Sequence, residues 1–179
     1  MNTQNLVLII TATLTALIAG LFYSYSCSVN PGLGKLADKE YLLAMQSINK
    51  EILNPVFFLS FMGTLVMLPV STFLKYKSGD TIAFWLLLAA TILYAAGTFV
   101  ITMAGNVPLN ETLDAFDINS NSVNEIAEQR RVFESSWNMF HSIRTIAAIA
   151  ALILVITGCV LSSPNSNKDK NNVTPQRSL

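Results

Sequence analysis

Four long apolar stretches constrain the fold of this chain more than any other feature of its sequence. They run over residues 6–29, 55–74, 81–104 and 140–161. At about 1.5 Å per residue, a helix of about 20 residues crosses a hydrocarbon layer of roughly 30 Å. The two middle stretches contain no charged residue. Each stretch therefore predicts a membrane-spanning helix.

Backbone polar groups in lipid must be satisfied within the chain, which leaves the helix as the structure for such segments. Only 12% of the residues are charged and 52% are hydrophobic, whereas soluble domains carry about 25% charge. We therefore predict an all-α fold, a four-transmembrane-helix bundle, over residues 1–161. A disordered polar tail is expected over 162–179, because it has few large apolar residues. A soluble bundle of very apolar helices is the alternative.

The first stretch resembles a secretory signal only superficially. The five residues before it include no Lys or Arg, and its apolar run is too long for a signal. We expect a retained helix rather than a cleaved one. Four spans put both termini on one side, and basic residues count equally on the two sides. The lysines in the short loop 75–80 abut two membrane ends, where the positive-inside bias is strongest. We therefore expect a multi-pass plasma-membrane protein with both termini cytoplasmic.

The two long loops contain helical patterns. In the first, which we expect to begin where Asn30-Pro31-Gly32 closes the first helix, apolar residues recur at helical spacing at Tyr41, Met45, Ile48 and Ile52. This predicts an amphipathic helix that lies along the membrane surface or folds over the bundle mouth.

The second long loop is predicted to be helical as well. Asn106 precedes Val107-Pro108 and is a candidate helix cap. Ser122 and Glu125 have the spacing of a capping box, which predicts a helix from Val123 onward. Whether that helix breaks at Ser135-Ser136 is open from the sequence.

Composition also limits the chemistry. Two cysteines and one histidine are too few for a Cys/His zinc cage or a three-histidine metal site. We expect no metal and no cofactor. The formal net charge is zero, so no basic surplus favours nucleic acid as a partner. Cys27 and Cys159 are predicted at opposite ends of the bundle, and therefore unpaired.

The strongest candidate site lies at the start of the fourth span. Trp137, His141 and Arg144 are spaced i, i+4 and i+7, so they share one helical face. An ionisable residue at membrane depth usually faces the bundle interior and is a functional candidate. The alternative is that Arg144 snorkels to the interface and Trp137 belongs to an aromatic belt.

Polar residues of the other segments are predicted to meet this face. In the four-span topology the outward end of the bundle collects four asparagines, namely Asn49, Asn54, Asn106 and Asn110. A polar pocket at that mouth is the simplest way to satisfy them. The alternative is that asparagines near helix ends cap those helices.

Four runs of this sequence resemble the anthrone-oxygenase-like family of small four-helix membrane proteins: GLFYSYSCSVNPGL, AMQSINKEILNPVF, NVPLNETL and WNMFHSIRT. The resemblance covers nearly all of the chain outside the tail. Some fungal members are linked to oxygenation of anthrones to anthraquinones without a recognised cofactor, and most bacterial members have no assigned activity. The resemblance therefore implies the fold more strongly than the reaction. The positions that match are Asn49, Asn54, Pro55, Asn106, Pro108, Asn110, Trp137, His141 and Arg144.

Two hypotheses follow from different classes of function. In the first, a cofactor-independent oxygenase binds a small apolar or aromatic molecule such as an anthrone. His141 is its base, Arg144 stabilises the oxyanion, Trp137 stacks on the ring and the asparagines orient its hydroxyls. In the second, a non-catalytic membrane protein binds a lipid, a quinone or a partner subunit in the same pocket. The oligomeric state is left open.

Overall fold

The computed structural model describes residues 3–162, so residues 163–179 of the tail predicted to be disordered lie outside the described residues. Helices make up nearly all of the described part, and no strand occurs in it. They are α1 (Thr3–Leu33), α2 (Asp38–Glu51), α3 (Pro55–Ser78), α4 (Thr81–Asp114) and α5 (Val123–Val160). The predicted all-α fold is confirmed.

Four of these helices, all except α2, are long and apolar enough to cross a membrane. Helix α1 packs against α3 and α5, and α4 packs against the same two helices from the other side. The four helices therefore close into a bundle in which each has two neighbours. Large apolar side chains such as Val56, Trp85 and Val160 are exposed on its outer surface, as lipid permits.

Several hydroxyl side chains inside the bundle are satisfied by their own helices. Thr15, Thr64 and Thr102 are buried, and each donates to the carbonyl four residues earlier at 2.7–2.8 Å. Thr11 also bonds Val7 in this way and lies 2.7 Å from Ser71 Oγ on α3. Such local bonds let polar side chains enter an apolar core without a distant partner.

A second, smaller core lies at one end of the bundle, which we call the cavity end. Helix α2 folds over this end, as one of the two predicted placements has it. Its Tyr41, Leu42 and Met45 pack with Leu113, Phe133 and Trp137. Gln46 Nε2 donates to the carbonyls of Leu113 and Phe116 at 2.8 and 3.0 Å, which fastens α2 to the end of α4.

Arg130 fixes the connection between α1 and α2 against α5. Its guanidinium donates to the carbonyls of Gly34 and Leu36 at 3.0 and 2.6 Å and pairs with Asp38 at 3.0 Å. The same group lies 4.5 Å from the centre of the Tyr41 ring. This side chain therefore holds the short loop that brings α2 back over the bundle.

Two predicted helix boundaries were wrong. Helix α1 does not close at Asn30-Pro31-Gly32 but continues to Leu33, after a wider π-helical turn over Tyr25–Val29. A proline ring clashes with the carbonyl one turn earlier, and a wider turn gives that carbonyl room. Helix α4 likewise runs through Asn106, whose backbone is helical and whose side chain makes no cap bond.

Other expectations about the helices hold. Ser122 and Glu125 form the capping box that starts α5, and α5 passes through Ser135-Ser136 without a break. Cys27 and Cys159 are both free, as predicted.

The opposite end of the bundle, which we call the tail end, holds a buried ion pair. Lys75 Nζ lies 3.1 Å from Asp80 Oδ2, and their side chains are only 6% and 8% exposed. Ser162 Oγ donates to the same carboxylate at 2.9 Å and also contacts Lys75. Burial raises the pKa of the Asp80 carboxyl, but the hydrogen bonds from Ser162, Lys75 and Ala83 outweigh it and hold that pKa below its ordinary value.

We predict that Lys75→Met lowers the free energy of unfolding by about 1–3 kcal/mol at neutral pH, because it removes one partner of a buried pair. The depressed pKa of Asp80 means that pairing stabilises the fold at pH values above the ordinary carboxyl pKa. This stability is lost as the pH falls through the lowered pKa. The difference in melting temperature between variant and wild type in detergent should therefore shrink on acidification. Lys77→Met, at an exposed lysine of the same turn, is the control; an equal loss there would contradict this account.

Gly97 marks a close approach of α4 and α5. A Cβ atom at this position would lie 2.6 Å from Ala147 Cβ. We predict that Gly97→Ala lowers the free energy of unfolding by about 1–3 kcal/mol, because the two helices must move apart. Gly20→Ala is the matched control, since a Cβ there meets nothing within 4 Å. Thermal unfolding in detergent measures both, and equal melting temperatures for the two variants would refute the close approach.

Candidate functional site

A cavity of about 80 Å³ lies between the bundle and α2 at the cavity end. All five helices contribute to its walls, which are mostly apolar. It adjoins a more open mouth of about 170 Å³, and the two share Asn49, Leu53, Val107 and Asn110. The polar side chains of the cavity wall are Tyr25, Asn49, Thr102, Asn106, Asn110 and Arg144.

Arg144 is the charged residue of this cavity. Its side chain points into the bundle, and the residue is only 8% exposed. The guanidinium carbon lies 4.4 Å from the centre of the Phe22 ring and 5.1 Å from the Trp137 ring system. The predicted alternative, in which Arg144 snorkels to the interface, does not describe this placement.

No carboxylate pairs with Arg144 in the part of the chain that the structure describes. Its Nε and Nη2 atoms lie 3.3 and 3.1 Å from His141 Nδ1. Aromatic faces and one imidazole therefore surround this cation. An uncompensated charge in an apolar interior costs several kcal/mol. An anionic or strongly polar ligand in the cavity would offset that cost.

His141 contacts Arg144 but is not among the residues that line the cavity. It is 1% exposed, and its ring stacks on Trp137 with 4.9 Å between ring centres. Because a guanidinium can only donate, Nδ1 must accept from Arg144. In the neutral ring the proton is then on Nε2, which lies 3.0 Å from Ser26 Oγ.

The imidazole does not line the cavity. It lies instead at a second, more open groove of about 460 Å³ between α1 and α5, together with Ser26, Asn30, Glu134 and Asn138. His141 therefore separates the cavity from this groove. Both of its nitrogens are occupied by neighbouring side chains, so the imidazole is placed to orient Arg144.

Two of the predicted asparagines hold Trp137. Asn110 Oδ1 accepts from the indole Nε1 at 2.9 Å, and Asn106 Nδ2 donates to the Trp137 carbonyl at 3.2 Å. The other amide atom of Asn106, Oδ1, is buried without a hydrogen-bond partner, and so is Asn49 Nδ2. One free acceptor and one free donor thus belong to side chains of the cavity wall.

Asn54 has a different role. Its Oδ1 accepts from the backbone N–H groups of Val56 and Phe57 at 3.1 and 3.0 Å, so it caps α3 and does not line the cavity. The cap interpretation thus holds for Asn54, whereas Asn106 bonds across to α5 instead.

Sequence reasoning missed Tyr25, which lines the cavity. Its ring centre lies 6.3 Å from Trp137 and 5.9 Å from His141. Tyr25 opens the π-helical turn of α1, and such turns are frequent at functional sites. The residue occurs in a run that carries the family resemblance, but nothing in its spacing distinguishes it from Tyr23.

The sequence matches the anthrone oxygenase family over residues 57–154, which is more than half of the chain. This chain belongs to the anthrone oxygenase family. No curated protein and no solved structure matches it.

The match to the anthrone oxygenase family covers α4 and most of α3 and α5. It therefore includes Asn106, Asn110, Trp137, His141 and Arg144, but not the cavity residues of α1 and α2. Among the described residues, no group of three or more His, Cys, Asp or Glu side chains is placed to hold a metal ion.

Proposed function

We propose that this protein is a cofactor-independent oxygenase that acts on an activated aromatic such as an anthrone, which binds in the cavity beside Arg144. One observation carries the proposal: a buried guanidinium without a carboxylate partner in the described chain faces a cavity with aromatic walls. Its family membership supports the same reaction. Trp137, which two asparagines hold in place, lines the cavity and offers an aromatic contact to such a ring.

The proposed chemistry uses the charge of Arg144. Loss of a proton from the methylene carbon of an anthrone leaves an enolate with negative charge on its oxygen. A fixed guanidinium in a dry site stabilises that oxyanion far more than it would in water. His141 acts as a positioning residue, because its Nδ1 accepts from the guanidinium while the residue does not line the cavity.

Dioxygen is the oxidant of the reaction. The enolate carbon adds O2 to give a peroxide anion, which takes up one proton. Loss of the second proton from the same carbon breaks the O–O bond, leaves a ketone and releases hydroxide, which a proton converts to water. One oxygen atom ends in the quinone and the other in water, so a bound electron donor is not required.

The second candidate is a non-catalytic protein that binds a membrane lipid, a quinone or a partner subunit in the same cavity. The mostly apolar walls and the mouth between α2 and α4 favour it equally well. A carbonyl or phosphate oxygen would satisfy Arg144 without any reaction.

We predict that Arg144→Lys lowers kcat/KM for oxygen uptake on a hydroxylated anthrone by about 100-fold or more, because an ammonium cannot replace the planar donors. The purified protein in detergent is assayed with an oxygen electrode, and spontaneous autoxidation is subtracted. Arg131→Lys is the matched control, since Arg131 lies on the same helix in an exposed pair with Glu128. Full activity of Arg144→Lys would refute the role of Arg144. Absence of oxygen uptake by the wild type, with saturable binding of a hydroxyanthraquinone, would favour the second candidate.

We also propose that the protein resides in the plasma membrane with both termini cytoplasmic, so that the cavity end faces outward. The lysines at the end of α3, Lys75 and Lys77, support this orientation. Reporter fusions after Leu179 and within Asn119–Asn121 should report opposite sides of the membrane, the first cytoplasmic. The same side for both, or the reverse order, would contradict the proposed topology.

A further inference from the structure

The proposed reaction needs a group that removes a proton from the substrate, and the cavity wall restricts the choice. Tyr25 and Arg144 are the titratable side chains among the residues that line it. Arginine stays protonated in proteins and can only donate. His141, the base expected from the sequence, lies at the outer groove with both ring nitrogens in contact with other side chains.

We propose that Tyr25 is the catalytic acid–base residue of this cavity. The inference rests on the proposed oxygenase function and deepens it. The phenolate form of Tyr25 can take a proton from the substrate, and the phenol that this forms can return one. Its phenolate form would find a counterion in Arg144, the guanidinium that lacks a carboxylate partner in the described chain.

The placement of Tyr25 fits this role. Its ring packs beside Trp137 and His141, which are the residues that flank the Arg144 guanidinium from α5. A substrate in the cavity would therefore have the Tyr25 ring and the guanidinium as neighbours. Tyr23, two residues earlier on α1, is 58% exposed on the outer surface, so the two tyrosines of one helix have different surroundings.

Each proton of the reaction has a place in this scheme. The Tyr25 phenol first gives its proton to the solvent; the phenolate then takes the first methylene proton, and the enolate pairs with Arg144. After O2 adds to the carbon, the Tyr25 phenol gives that proton to the peroxide anion. The regenerated phenolate takes the second proton from the carbon as the O–O bond breaks, and it passes this proton to the departing hydroxide to form water. Tyr25 ends as the phenolate that took the first proton.

The test compares Tyr25→Phe with Tyr23→Phe in the full-length protein in detergent. We expect Tyr25→Phe to lower kcat for oxygen uptake on a hydroxylated anthrone by about 100-fold or more, the usual size of general acid–base catalysis. KM, the affinity for a hydroxyanthraquinone and the melting temperature should stay near wild type. Tyr23→Phe should match wild type in all four measurements.

An anaerobic experiment isolates the proton-transfer step. Without O2, wild type mixed with the anthrone should develop the visible absorbance of the enolate, and Tyr25→Phe should develop it at least about 100-fold more slowly. Equal rates, or a loss of stability and binding that accounts for the loss of turnover, would overturn the assignment of Tyr25. If the wild type itself consumes no oxygen, the oxygenase function fails instead, so the two failures are distinguishable.

Discussion

A hydrocarbon solvent offers no partner to a polar group, and the described chain is organised around that constraint. Its backbone amides are satisfied within long helices, and buried hydroxyls such as Thr15 and Thr102 bond the carbonyls of their own helices. Other polar side chains bond across helices, as Tyr94 does to the Phe61 carbonyl, and the charged ones that are buried lie at the two ends of the bundle. The tail end holds the Lys75–Asp80 pair, and the cavity end holds Arg144 with its amide and aromatic neighbours.

The two ends satisfy a buried cation in different ways. Lys75 has a carboxylate and a hydroxyl within reach, so its charge is neutralised by the fold itself. Arg144 has two aromatic faces and an imidazole nitrogen, which leave its positive charge uncompensated by the described chain. The first arrangement needs nothing from outside. The second is suited to a ligand that brings negative charge or develops it during a reaction.

The small core under α2 gives the cavity its shape. Tyr41, Leu42 and Met45 fix α2 over the bundle end, and Arg130 holds the connection that leads to it. Without this cover the mouth of the bundle would be open, and Arg144 would be more solvated and its electrostatic effect weaker. The α2 helix therefore supports the proposed chemistry by excluding water, although most of it makes no contact with the cavity.

The sequence by itself determined the helices and one face of the site. Hydrophobic length specifies a span because the thickness of the lipid is fixed, and the i, i+4, i+7 spacing of Trp137, His141 and Arg144 requires a common face. Only the tertiary structure decided what that face meets. In the tertiary structure His141 lies at the groove and Tyr25 lines the cavity. Asn54 caps α3, and Asn106 donates a hydrogen bond to the Trp137 carbonyl. Those outcomes depend on how the helices rotate and pack against one another. They also depend on a π-helical turn, whose extra residue shifts the face of α1. Helical periodicity in the sequence encodes neither of these.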